Sequence, residues 1–136
     1  MDPANHVGPM VSQTQRNIVR KQVEDAVGKG AKVLHQSAVP EYVEGSSFHP
    51  VTVLADLDDS MDVFSKETFG PVVAMAKFDG SEAEAIRLAN KTEYGLGSSI
   101  YTKDMEKARR VAARIGAGQV GINCYAIDAM DVACPW

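Results

Sequence analysis

The sequence has few of the residues that build metal sites or disulfide frameworks. Among its 136 residues there are two cysteines, Cys124 and Cys134, and three histidines, His6, His35 and His49. Two cysteines are too few for a disulfide framework and lack the paired spacing of a zinc site, and the histidines lack the H-x-x-x-H spacing of helical metal ligands. This composition predicts surface histidines, no metal site and a reducing compartment.

Basic blocks and long apolar runs are also missing. Fourteen basic residues stand against eighteen acidic ones, for a net charge of −4, and no basic cluster is available to neutralise phosphates. The most apolar stretch, residues 71–78, is far shorter than the ~18 residues of a membrane span. The N-terminus has neither the basic segment nor the apolar core of a signal peptide. We therefore expect no nucleic-acid partner, no membrane association and a cytoplasmic location.

The length fits one ordinary domain of about 100–200 residues, but both ends have the character of cut ends. The sequence opens in a proline-containing stretch, residues 2–9, and stops at Cys-Pro-Trp, residues 134–136. Proline favours extended or turning backbone, and a bulky tryptophan is an unusual last residue for a self-contained domain. We therefore expect a truncated chain.

Local patterns alternate between strand and helix. Ser12 and Gln15 form a capping box before an apolar stripe, which predicts a helix over residues 12–27. The apolar run at 72–78 predicts a buried strand. The second half continues with a helix from a capping box at 81–84 to residue 90, a strand at 97–101, a helix at 104–115 capped by Thr102, and a strand at 119–123. Together these elements predict the α/β class, with a mainly parallel sheet and flanking helices.

Three candidate sites fail on their context. Residues 116–121 fit G-x-G-x-x-G, but a helix precedes and a strand follows, the reverse of a dinucleotide fingerprint; we interpret Gly116 as a helix cap and Gly118 as a turn. The acids from Asp56 to Glu67 fall at EF-hand positions without the required glycine, which indicates a solvated turn. Cys124 has no histidine near it in sequence and is interpreted as an inert packing thiol.

Residues 67–71, Glu-Thr-Phe-Gly-Pro, form the candidate binding motif that is consistent with its context. Glu67 supplies a bidentate acceptor and Phe69 a flat apolar face, on a loop stiffened by Gly-Pro at the mouth of a strand. Such a pair suits a sugar diol and a planar ring. The alternative, with Phe69 in the core and Glu67 on the surface, stays open from the motif alone.

The sequence as a whole resembles the NAD(P)-dependent aldehyde dehydrogenase superfamily, in the part of the catalytic domain downstream of the nucleophilic cysteine. The matching motifs occur in family order over essentially residues 1–136. They are V-G-P-M-V-S at 7–12, G-A-K-V at 30–33, P-V-T-V-L at 50–54, E-T-F-G-P-V at 67–72, A-N and Y-G-L-G at 89–97, and G-A-G-Q-V-G-I-N at 116–123.

The resemblance implies roles for five residues. Glu67 is similar to the glutamate that accepts hydrogen bonds from the nicotinamide ribose, and Phe69 to the aromatic near the nicotinamide ring of NAD or NADP. Gln15 lies where family members contact the adenine-side ribose. Asn123 resembles a structural asparagine at a strand end, and Trp136 stands at an aromatic wall of the substrate pocket.

The resemblance also implies a small-molecule aldehyde substrate, oxidised to the acid by thiolate attack, hydride transfer to NAD(P) and hydrolysis. It implies that the nucleophile, the general base and the Rossmann domain lie upstream of residue 1, that an oligomerisation strand follows residue 136, and that the whole enzyme is a homo-oligomer. We therefore predict no catalytic residue within residues 1–136 and expect the isolated chain to be inactive. An inactive pseudoenzyme or interaction module with this fold is the alternative.

Overall fold

The computed structural model describes residues 6–39 and 45–125. The chain divides into two compact units, residues 1–77 and 78–136. The first contains helix α1 (Gln13–Gly28), strands β1 (Lys32–Gln36) and β2 (Thr52–Ala55), the short helix α2 (Asp62–Ser65) and strand β3 (Val72–Ala74). The second contains α3 (Glu82–Ala89), β4 (Gly97–Ile100), α4 (Met105–Ala112) and β5 (Gln119–Ile122).

Helix α1 forms where the capping box and apolar stripe predict it. The Ser12 hydroxyl accepts a hydrogen bond from the Gln15 main-chain N–H at 3.1 Å, which satisfies one of the free donors of the first turn. The Gln15 side chain does not return to Ser12; its amide donates elsewhere, as described below. The helix ends at Gly28. Gly30, two residues later, has a φ of +104°, a left-handed conformation that glycine adopts at low cost.

The first unit is built on a three-stranded sheet of order β1-β2-β3. The β1 and β2 strands are antiparallel, whereas β2 and β3 are parallel, with Thr52 opposite Val72. Leu54 of β2 and Met61 are fully buried and belong to a core to which α1 and α2 also contribute. That core cluster comprises Val23, Ala26, Ala31, Leu54, Leu57, Met61 and Val63.

The second unit holds a parallel pair, β4 and β5, joined through α4. Gly97 lies opposite Gln119 and Ile100 opposite Ile122. With β2/β3 also parallel, the predicted α/β class with a mainly parallel arrangement is confirmed, although the described strands lie in two sheets and β1 is antiparallel.

Local predictions are wrong for the stretch 72–78, for Thr102 and for His49. The stretch 72–78 is a strand only over Val72–Ala74, and Val73 is 52% exposed, so the predicted buried strand is both shorter and less buried. Helix α4 begins after Asp104, whose carboxylate accepts from the Lys107 N–H; Thr102 bonds the Asp104 N–H instead of capping the helix. His49, predicted at the surface, is 7% exposed, with Nδ1 2.8 Å from the Pro50 carbonyl.

The string at 116–121 lies between a helix and a strand, as the rejection of the dinucleotide fingerprint requires. The Gly118 N–H donates to the Gly95 carbonyl at 2.8 Å and the Gly116 N–H to Asn90 Oδ1 at 2.8 Å. The helix C-cap is Ala113, so the interpretation of Gly116 as the cap is wrong. Within the second unit, these glycines allow the segment after α4 to pack closely against the segment before β4.

The acidic turn after β2 is also structural. Asp56 has a φ of +56°, and its carboxylate bonds Lys32 Nζ at 2.7 Å and Lys77 Nζ at 3.0 Å. Asp58 accepts from the main chain and hydroxyl of Ser60. Within residues 6–39 and 45–125, no group of three or more acidic, histidine or cysteine side chains is placed to hold a metal ion.

We expect the Asp56 pairs to make the stability of the first unit pH-dependent. Hydrogen bonds and charge from Lys32 and Lys77 lower the pKa of Asp56 from 3.8 to about 2. A depressed carboxyl pKa stabilises the fold above the unfolded value and ceases to do so as pH falls through the folded one. Asp56→Asn, which keeps the tolerance for positive φ, should therefore lower the melting temperature at neutral pH, with the difference vanishing between about pH 4 and pH 2.

Circular-dichroism melts across this pH range check the prediction. Glu24→Gln is the control, because Glu24 makes only an exposed pair with Arg20 at 3.5 Å and should leave the melting temperature unchanged. A wild-type minus Asp56→Asn difference that stays constant down to pH 2 would contradict the assignment.

Candidate functional site

The loop at residues 67–71 projects two side chains away from the first unit. Glu67 is exposed and Phe69 is 70% exposed, while the Thr68 hydroxyl oxygen between them is buried. The Gly70 N–H bonds the Thr68 carbonyl at 2.9 Å, which closes a three-residue turn with Phe69 at its apex. The alternative that places Phe69 in the core is therefore wrong.

Two side chains of helix α1 form hydrogen bonds with the main chain of this loop. Gln15 Nε2 donates to the Phe69 carbonyl at 3.1 Å, and Gln22 Nε2 donates to the Glu67 carbonyl at 3.0 Å. The two glutamines are seven residues apart, which places them on one face of the helix about two turns apart. Because both bonds go to backbone carbonyls, they fix the loop and leave its side chains free to meet a ligand.

Close packing against α1 completes the seat of the loop. A Cβ at Gly70 would lie 2.8 Å from Val19 Cγ2 and 3.1 Å from Met10 Cε, so only glycine lets the backbone lie this close. Val19 is fully buried midway between the two glutamines. The loop therefore lies along a polar-apolar-polar stripe of one helix.

The Glu67 carboxylate is available for a ligand. The Glu67 side chain is exposed, and within residues 6–39 and 45–125 no hydrogen bond or ion pair joins its carboxylate to another side chain. A recess of about 440 Å³ opens beside Phe69, lined by residues 6–11, Gln15 and Pro71. Phe69 lines this recess, and Glu67 stands two residues before it on the same loop, so an aromatic face for a flat ring and a bidentate acceptor for a vicinal diol lie on one short segment.

The other predicted residues belong to the second unit or lie outside the described residues. Asn123 follows β5 with a φ of +57°; its side chain accepts from the Thr102 N–H and donates to the Thr102 carbonyl, each at 2.9 Å, which is a structural role. Cys124 is a half-buried free thiol. Trp136 and Cys134 lie outside the described residues.

Sequence reasoning missed Gln22. It falls within the apolar stripe of α1, three residues after Val19 and one before Val23, and is itself buried. A polar residue inside an apolar stripe is the signal that could have found it, because a buried amide needs a partner.

Comparison with known proteins identifies the class. The model of the aldehyde dehydrogenase family matches residues 1–136. The chain belongs to the aldehyde dehydrogenase family.

Individual relatives agree with this assignment. Betaine aldehyde dehydrogenase of Sinorhizobium fredii is 38% identical over 134 residues, covering 97% of this chain and 27% of the relative. The crystal structure of Staphylococcus aureus betaine aldehyde dehydrogenase in complex with NAD⁺ matches with a TM-score of 0.84 and 33% identity, over 100% of this chain and 27% of that one. Mycobacterium tuberculosis aldehyde dehydrogenase complexed with NAD⁺ gives a TM-score of 0.84 and 36% identity, over 99% and 27%.

The chain thus spans about a quarter of the length of the relatives it matches. None of the helices in the described ranges has the length and apolar character needed to cross a bilayer.

Proposed function

We propose that this chain supplies the nicotinamide-facing loop of an NAD(P)-dependent aldehyde dehydrogenase. Glu67 accepts hydrogen bonds from the hydroxyls of the nicotinamide ribose, and Phe69 packs against the nicotinamide ring. The observation that carries the proposal is the anchored loop, which presents an exposed carboxylate and an aromatic ring that is 70% exposed. The NAD⁺ complexes of the Staphylococcus aureus and Mycobacterium tuberculosis enzymes support the choice of ligand.

Gln15 has two functions in this proposal. One N–H of its amide donates to the Phe69 carbonyl, and its amide oxygen accepts a bond from a hydroxyl of the adenine-side ribose. Gln15 also lines the recess beside Phe69. One side chain therefore both seats the loop and borders the cofactor.

NAD(P), when bound, takes up the hydride released from the aldehyde carbon. The residues of this chain orient the cofactor: Glu67 fixes the ribose through two hydroxyls, and Phe69 limits rotation of the ring by contact with its face. Hydride transfer depends on the distance and angle between donor and acceptor carbons, so restricting the ring accelerates the step. Cys124, a half-buried thiol that follows β5, does not serve as the attacking thiolate in this proposal.

The substrate in this proposal is a small-molecule aldehyde, with Trp136 as a pocket wall. We also propose a cytoplasmic homo-oligomer with no nucleic-acid or membrane partner. The net charge of −4 supports the absence of a nucleic-acid partner.

Isothermal titration with NAD⁺ tests the proposal on protein expressed from the complete gene, so that residues 1–136 keep their native context. Glu67→Gln should raise the Kd for NAD⁺ about tenfold, because hydrogen bonds to a charged acceptor contribute more than those to a neutral amide. Glu93→Gln, the same change at another exposed glutamate, is the control and should leave the Kd unchanged. Equal affinity of wild type and Glu67→Gln would overturn the proposed role.

The same preparations distinguish an enzyme from an inactive relative. NADH formation with a panel of aldehydes, followed by absorbance, supports the oxidoreductase. NAD⁺ binding without turnover of any aldehyde indicates the alternative, a pseudoenzyme or interaction module that keeps the loop.

A further inference from the structure

We infer that Gln22 is a positioning residue for Glu67, an assignment that rests on the proposed function. Gln22 is 6% exposed on α1, and its Nε2 donates to the Glu67 carbonyl at 3.0 Å. The bond holds the main chain of the residue whose carboxylate faces the cofactor. Gln22 itself is too deeply buried to serve as a ligand for the cofactor.

The energetics of the Gln22 side chain favour positioning over stabilisation. Its other amide atom, Oε1, is buried and has no hydrogen-bond partner within the described part of the chain. A buried acceptor without a partner is unfavourable, whereas a methionine or leucine of similar volume would fill the space without that cost. The amide therefore contributes little net stability, and what distinguishes it from an apolar side chain is the directed bond to the loop.

The hydrogen bonds from Gln15 and Gln22 hold different residues of the loop. Gln15 holds the carbonyl of Phe69 and Gln22 holds that of Glu67, so each cofactor-facing residue has its own main-chain anchor. Loss of the Gln22 bond leaves the Phe69 end seated, with Gly70 still packed on Val19. The Glu67 end then gains rotational freedom, which weakens its hold on the ribose. The effect of Gln22 is thus exerted through Glu67.

A double-mutant cycle on protein expressed from the complete gene tests this inference. Gln22→Met should raise the Kd for NAD⁺ about fivefold, the weight of one hydrogen bond, and change the melting temperature by less than about 2 °C. In the Glu67→Gln background, the same Gln22→Met change should have no further effect on the Kd, because coupled residues are not additive. Gln22→Leu, which also lacks the donor, replaces Gln22→Met if the methionine variant does not fold.

Gln13→Met is the matched control. Gln13 also lies on α1 and donates its amide to a loop carbonyl, that of Gly45 at 2.6 Å, away from the Glu67 loop. The Gln13→Met variant should leave the NAD⁺ affinity unchanged. Additive effects of Gln22→Met and Glu67→Gln, or a loss of affinity that only follows a lower melting temperature, would overturn the inference for Gln22 alone. If Glu67→Gln itself leaves the Kd unchanged, the proposed function and this inference both fail.

Discussion

Alanine at position 70 is expected to raise the Kd for NAD⁺ by at least about tenfold and to lower the free energy of unfolding by about 2 kcal/mol. The added methyl group would lie 2.8 Å from Val19 Cγ2, well inside van der Waals contact. Val19 is fully buried on a helix, where a β-branched side chain has one strongly preferred rotamer and cannot turn aside. The loop must therefore move off α1, which stretches the bonds from Gln15 and Gln22 and displaces Glu67 and Phe69 together.

A size exchange separates this mechanism from general damage. The double variant Gly70→Ala/Val19→Ala makes room for the methyl group and should recover most of the NAD⁺ affinity. Its unfolding free energy stays below wild type, because Val19→Ala removes buried methyl groups. Gly28→Ala is the control, since a Cβ there has no neighbour within 4 Å. Calorimetry gives the Kd, and urea denaturation the stability; a Gly70→Ala protein that binds NAD⁺ like wild type would contradict the seating of the loop.

Alanine at position 95 is expected to cost about 3 kcal/mol of stability in the second unit. A Cβ at Gly95 would stand 2.5 Å from the Gly116 carbonyl oxygen, an atom of the backbone that cannot rotate away. The same contact carries the bond from the Gly118 N–H to the Gly95 carbonyl. Asn90 binds the neighbouring backbone through the Gly116 N–H and the Arg114 carbonyl. Separation of the two connections would thus weaken several bonds at once.

Gly118→Ala is the informative comparison for this second prediction. A Cβ at Gly118 would lie 3.5 Å from the Leu96 carbonyl oxygen, an ordinary contact, so urea denaturation should show a much smaller loss than for Gly95→Ala. It should also leave NAD⁺ affinity unchanged, because the glycine string serves packing and not cofactor binding. A loss of NAD⁺ affinity in Gly118→Ala, with stability preserved, would restore the dinucleotide interpretation of residues 116–121.

Local signals in the sequence were sufficient for the elements whose stability is local. Helix α1 was predictable because Ser12 caps it and its apolar residues recur at helical spacing. The loop at 67–71 was predictable because Gly-Pro and an acid-aromatic pair have their own chemistry. Thr102 was misassigned because a threonine and an aspartate two residues apart both suit an N-cap, and only backbone geometry separates them.

Features that depend on distant contacts were not predictable in the same way. The bond from Gln22 to Glu67 joins residues 45 positions apart, and no local pattern records which helix seats a loop. The exposure of Val73 had the opposite cause: its apolar neighbours indicate burial, but burial depends on a covering layer that periodicity does not specify. His49 is buried in a stretch that has little hydrophobic periodicity, so no local pattern indicated its burial.

The use of main-chain carbonyls as anchors makes the loop tolerant of changes in its own sequence. Every amino acid has the same carbonyl, so exchange of the side chain at 67 or 69 removes neither the bond from Gln22 nor that from Gln15. The backbone conformation of the loop therefore does not depend on which side chains stand at positions 67 and 69. Under the proposed function, single substitutions at these two positions would therefore change cofactor affinity without changing how the loop folds.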